Sequence, residues 1–165
     1  MILAVDVSYS VTGARAAGLL FEDWTSDQAV EVLSATLDNL EEYVPGQFYL
    51  RELPALMTVI QPVLSKVQTI MIDGYVSLGA EGRPGLGMHL WHALGGAVPI
   101  IGVAKTRFHG TPEECEVFRG QSRNPLFVTS VGLPLEEAKA HIRDMAGPHR
   151  IPTLLKEVDR LSRSG

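Results

Sequence analysis

Met1-Ile2-Leu3-Ala4-Val5-Asp6-Val7-Ser8-Tyr9-Ser10 opens the chain. Residues 2–7 form an apolar, β-branched run that predicts a strand, and one carboxylate, Asp6, breaks it. A charge set in an apolar strand is costly unless it is paired or binds a metal. Working outward, a turn near Thr12 and Gly13 leads to a second strand around 16–21, and a third follows at 30–37. These three can pair as an antiparallel meander.

Downstream, the signals begin to alternate. The loop Tyr43-Val44-Pro45-Gly46 precedes a helix over 54–66, with Leu56, Ile60, Val63 and Leu64 at helical spacing. Residues 69–72 predict a short buried strand ending at Asp73-Gly74, and a glycine-rich loop runs to Gly87. A helix over 86–94 leads to a buried strand over 98–103, ending at Ala104-Lys105. Residues 106–124 are polar and irregular. A strand at 126–129 and helices over 135–145 and 152–161 complete the chain, and two glutamates open the first of these helices, where the helix dipole favours them. Strands that pair locally and then alternate with helices predict an α/β fold, a mixed sheet flanked by helices.

The 165 residues are read as a single domain, 1–165, with 45% hydrophobic and 20% charged residues. Cys115 is the one cysteine, so neither an internal disulfide nor a cysteine metal cluster can form. That suits a reducing cytoplasm, the expected location. The first residues lack the basic and long apolar regions of a signal peptide, and no apolar run approaches the roughly 18 residues of a membrane span. The chain is expected to be a monomer with no membrane partner. Its net charge of −5 argues mildly against a nucleic-acid partner. The distribution softens this: residues 1–50 hold eight acidic groups and only Arg15 as a base, whereas the remainder is net positive by two. A phosphate-binding surface is therefore expected in the later part.

Asp6, Glu52 and Asp73 stand where strands and a helix start can deliver them to one place. Oxygen ligands of this kind suit Mg²⁺ or Mn²⁺ and phosphoryl-transfer chemistry. The plainer alternative is separate aspartates capping strand ends.

Asp6-Val7-Ser8-Tyr9, Tyr43-Val44-Pro45-Gly46 with Arg51-Glu52, Asp73-Gly74 and Pro99-Ile100-Ile101-Gly102-Val103-Ala104-Lys105 follow one another in an order that resembles the motifs of the endonuclease V family. The segment from Arg150 to Leu161 is similar to the family's closing segment. The resemblance covers nearly the whole chain. It implies a ribonuclease H-like fold and metal-dependent hydrolysis of a phosphodiester 3′ to inosine or a related deaminated purine, in DNA or RNA. Asp6, Glu52 and Asp73 would hold Mg²⁺ or Mn²⁺, and Lys105 would sit near the scissile phosphate, although a solvated loop lysine fits its position equally well. Tyr43 would belong to a wedge that separates strands beside the lesion, with Pro45 also in contact with nucleic acid; a loop aromatic covering the core is the alternative for Tyr43. Gly46 and Gly74 would let backbone amides approach a flipped base, or serve simply as turn residues. Arg107, with Arg119 and Arg123, forms a loose basic group suited to phosphate or to solvent.

The chain departs from the family pattern twice. After the Asp-Gly pair, Glu81-Gly82-Arg83-Pro84-Gly85 stands where the family carries a histidine-bearing run. Leu133 stands near a family histidine that supports catalysis. His109 is the candidate substitute, because its loop adjoins Lys105; His89 and His92 share a helix face, and His141 and His149 read as surface residues. These losses raise a second reading, a nucleic-acid-binding homologue with weak or no cleavage. A third reading comes from Asp6, Ser8, Ser10, Thr12 and Gly13, which are similar to the phosphate loop of actin-like and sugar-kinase folds. Those proteins use two such domains, and the chain supplies one.

Overall fold

The computed structural model describes residues 1–10, 13–38 and 49–164. Among these residues, nine strands and four helices run in the order β1 (Ile2–Ser10), β2 (Gly13–Phe21), β3 (Glu31–Leu37), α1 (Tyr49–Ile60), β4 (Thr69–Asp73), β5 (Ser77–Leu78), β6 (Arg83–Pro84), α2 (Leu86–Ala93), β7 (Ile100–Ala104), β8 (Glu116–Val117), β9 (Leu126–Val131), α3 (Leu135–Asp144) and α4 (Thr153–Arg163). Seven strands share one sheet in the order β3-β2-β1-β4-β7-β9-β8, and β5 and β6 form a separate small hairpin. The meander β1–β3 is antiparallel, β1, β4 and β7 are parallel neighbours, and β9 runs antiparallel to β7. The sheet is mixed and helices flank it, as the order of signals predicts.

Alternation along the strands divides the core in two. Leu3 and Val5 of β1 join Ile70 and Ile72 of β4 in a cluster with Leu56, Val59 and Ile60 of α1. Ile2 and Ala4 face the opposite way and join Met71, Ile101 and Val103 in a cluster with Leu154 and Val158 of α4. Both faces of the central strands are therefore covered, which explains their nearly unbroken apolar runs. No helix among the described residues is long and apolar enough to cross a membrane.

Several boundaries differ from those read in the sequence. The helix expected over 54–66 begins earlier, at Tyr49, and ends as a helix at Ile60; Gln61–Lys66 continues as a 3₁₀ helix. Pro62 has no N–H to donate to the fourth residue back, and its ring crowds that carbonyl, so the winding tightens there. The irregular 106–124 segment contains β8, an edge strand paired with β9. The glycine-rich loop contains the β5–β6 hairpin.

Candidate active site

The parallel pairing of β1 with β4 sets Val5 beside Ile72, and the pairing of β4 with β7 sets Asp73 beside Val103. One residue on, Asp6, Asp73 and the end of β7 lie level at the same end of the sheet. Neighbouring strands are only about 4.8 Å apart, and the period of two turns both aspartates toward the face that α4 covers. There α4 adds a third acid, Asp159. Carboxylate oxygens of Asp6, Asp73 and Asp159 all lie within 4.8 Å of one another.

Charge and burial oppose each other at this cluster. The Asp6 carboxyl is buried. Burial, then the charge of Asp73, then the hydrogen bond and charge of Asp159 push its pKa up to about 8, while the amide of Val7 pulls the other way. The Val7 N–H donates to Asp6 Oδ1 at 2.9 Å. Ser162, a buried residue of α4, places its hydroxyl 3.3 Å from Asp6 Oδ2. The Ser8 hydroxyl donates to the Ser162 carbonyl, so β1 and α4 are tied at the level of the acids. Asp73 is also raised by burial, and Lys105 offsets part of this. Lys105 Nζ lies 3.5 Å from Asp73 and 3.6 Å from Asp159, and Arg163 reaches Asp159 at 3.1 Å.

Glu52 arrives from the other layer. It sits in the first turn of α1 and lines a cleft of about 180 Å³ with Val5, Leu56 and Ile72, which Asp6 and Asp73 also line. It thus meets the two aspartates around the end of the sheet rather than within the close group of three. Four carboxylates consequently border one sheet end, three from the α4 side and one from the α1 side.

The segment after Asp73 is pinned tightly. Gly74 has φ +140°, a conformation that L side chains rarely adopt. Its amide donates to the Val103 carbonyl at 3.1 Å. The Val76 amide donates to Thr129 Oγ1 at 2.8 Å. This crossing passes directly over Gly102: a Cβ there would lie 2.6 Å from the Gly74 carbonyl oxygen and 2.7 Å from Thr129 Oγ1. The Tyr75 hydroxyl donates to the Thr106 carbonyl at 2.7 Å and accepts the Phe108 amide at 3.0 Å, joining the loop after β4 to the loop after β7. Arg150 donates to the Lys105 carbonyl and holds that loop from the other side.

The structure thus gathers Asp6, Glu52, Asp73 and Lys105 at one place and sets Gly74 beside them. Tyr43, Pro45 and Gly46 lie outside the described residues. Arg107 is taken up internally: it pairs with Glu116, donates to the Thr111 carbonyl at 2.7 Å and stacks over Phe127. Arg119 is buried and donates to the carbonyls of Met145, Gly147, His149 and Arg150, so the loose basic group read in the sequence does not form one surface. Asp159 was not among the site residues read from the sequence. Its signal was its place in the closing segment, one residue after the apolar Val158 on the border of the buried face of α4.

Among the described residues, no histidine joins the close group of acids. Leu133 follows β9 at its far end, where Val131 pairs with Ile100, three residues of β7 or about 10 Å back from the level of the acids. His109 is exposed on a turn whose carbonyl packs against Gly79. His141, read as a surface residue, is half-buried and stacks on Trp24 with ring centroids 4.3 Å apart.

Comparison with known proteins agrees with this geometry. A family model described as Endonuclease V matches residues 1–141. A curated endonuclease V from Dehalococcoides mccartyi is 29% identical over 178 residues, covering 94% of this chain and 78% of its own. The solved structure of human ENDOV aligns with a TM-score of 0.73 at 23% identity, over 98% of this chain and 82% of that one. A Ciona intestinalis endonuclease V, solved with a 24mer DNA containing an inosine followed by a ribo-adenosine, aligns with a TM-score of 0.72 at 18% identity, over 98% and 84% of the two chains. The shared fold is the ribonuclease H-like one, and with the family model covering most of its length, this chain belongs to the endonuclease V family.

Proposed function

We propose that the protein is a metal-dependent endonuclease that hydrolyses the phosphodiester 3′ to inosine, or to a related deaminated purine, in DNA or RNA. The observation that carries this reading is the convergence of Asp6, Asp73 and Asp159 at the sheet end of an endonuclease V family member. The Ciona relative bound to inosine-containing DNA supports the substrate class.

The donor set fits Mg²⁺ or Mn²⁺. It consists of hard carboxylate oxygens, and burial has placed them where a divalent cation relieves their mutual repulsion. Asp6, Asp73 and Asp159 would hold the ion, with Glu52 completing the set across the cleft. A bound divalent ion supplies Lewis-acid stabilisation of phosphate oxygens and a more acidic water. The chain's own groups do the rest. Ser162 and the Val7 amide fix the orientation of the Asp6 carboxyl. Lys105, carried at the end of β7 between Asp73 and Asp159, offers an ammonium to the phosphate that approaches these acids. Tyr75 and Arg150 hold the loop that carries it.

The test is cleavage of matched oligonucleotides with and without one inosine, as DNA and as RNA, in Mg²⁺ and in Mn²⁺. Nicking on the 3′ side of inosine that needs the metal and vanishes in Asp73→Ala is the expected result. Cutting that persists in both Asp6→Ala and Asp73→Ala sinks the proposal. Selective binding of inosine strands without cutting supports instead the binding homologue.

A further inference from the structure

Most cations among the described residues are already engaged. Carboxylates and carbonyls take up Lys66, Arg107, Arg119, Lys139 and Arg150, and Arg83 lies over the Phe108 ring. Among the described residues, four exposed cations have no such partner, Arg123 and Arg143 singly elsewhere and Lys156 and Arg160 together on α4. The last two stand four residues apart, and Arg163 follows three later. At 100° per residue these three side chains fall within about 60° of one helix face. Asp159, the acid that α4 contributes to the cluster, borders that face, and the same open groove is lined by Thr153, Lys156, Glu157, Asp159, Arg160 and Arg163.

We infer that this face of α4 is a track for the sugar–phosphate backbone, leading one strand of the nucleic acid into the acid cluster. The inference rests on the nuclease reading and extends it to how the strand is held. The stripe spans about 10 Å of helix, the length of three nucleotides at about 3.4 Å per step. In a chain of net charge −5, attraction for a polyanion must come from a local patch rather than from the whole molecule. The α4 stripe is such a patch, contiguous with the reacting centre. Glu157 and Asp159 are the opposing charges on the groove, and Asp159 is paired with Lys105 and Arg163. Phosphate contacts of this kind fix register and carry no base information, so the track serves lesion and normal strands alike.

The test uses the full chain with Lys156→Gln and Arg160→Gln combined, beside a control combining Arg123→Gln and Arg143→Gln, two other exposed cations without a partner among the described residues. Unchanged thermal melting verifies that both variants fold. Binding of a labelled single strand, with and without inosine, is followed by fluorescence anisotropy across a salt series. The α4 variant is expected to lower the log–log salt slope by about 1.4, at roughly 0.7 per phosphate contact, and to weaken binding about tenfold near physiological salt. The loss is equal for inosine and normal strands, and cleavage at saturating strand is unchanged. A wild-type slope in the α4 variant, or an equal loss in the control, overturns the inference. If the wild type cuts inosine strands while the α4 variant keeps the wild-type slope, only the track fails. If the wild type neither binds nor cuts any strand, the nuclease reading fails and the track with it.

Discussion

Asp6 shows what the site costs at the scale of one residue. Its carboxyl ionises near 4 in an open chain and near 8 in the fold. Between those values the unfolded chain has released a proton that the folded chain still holds, so metal-free stability falls as pH rises through that window. Asp6→Asn is expected to flatten this dependence, to stabilise the metal-free protein at pH 8, and to end cleavage. Denaturant titrations across the window check it; parallel slopes in wild type and variant would contradict it. Added Mg²⁺ should raise the wild-type midpoint at pH 8 and leave that of the variant in place, because only the wild type offers the ion its buried ligand. Arg119 is the opposite case, a buried cation whose work is structural. Arg119→Ala leaves four carbonyls without their donor and should lower stability by about 3 kcal/mol, read from urea unfolding; Arg119→Lys should recover little, since one ammonium cannot replace the planar fork. The sequence exposed Asp6 because a carboxylate interrupts an apolar run. It hid Asp159, which sits among Lys156, Glu157 and Arg160 and looks like part of a solvated helix face. It also hid the fate of Arg119, whose partners lie in a segment 26 to 31 residues away.

At the scale of elements, the β4–α2 connection decides where Asp73 points. That connection lies flat on β7 only because residue 102 has no side chain. Gly102→Ala must push the Gly74 carbonyl or the Thr129 hydroxyl aside, and we expect a stability loss of about 2 kcal/mol with a fall in cleavage beyond what the lost stability explains. Gly82→Ala is the comparison. Its φ of +68° strains an alanine by about 1 kcal/mol, but nothing lies within 4 Å of the new Cβ, so cleavage should hold. Assays run well below both melting points separate the two effects, and equal activity in the two variants would argue against a positioning role for this crossing. The central strands were legible as unbroken apolar runs between glycine and proline signals. The 3₁₀ ending of α1 was legible in principle from Pro62, whereas β8 and the β5–β6 hairpin, two residues per strand, are too short for any periodicity to mark.

For the molecule as a whole, two apolar layers share one sheet, and the site lies at the sheet's end rather than inside either layer. The central strands β4 and β7 are paired on both edges and covered on both faces; among the described residues β3 has an open edge, and it exposes Val32. Amide exchange should therefore be slowest in β4 and β7 and markedly faster in β3. Similar protection in β3 and β7 would mean that something covers the β3 edge. The meander and the mixed, helix-flanked sheet followed from local pairing and alternation, but the meeting of β1 with α4 did not, because no local pattern links that strand to that helix.

That meeting has a consequence for the order in which the chain is made. Asp6 emerges with the first residues and Asp73 midway, yet both wait for α4 to bring Asp159 and the Ser162 hydroxyl. Until α4 docks, a growing chain carries an unfinished acid cluster, and the same holds for any fragment cut short before α4. Translation through α4 thus becomes a condition for the site to exist, and a message broken before it yields a protein without the complete cluster.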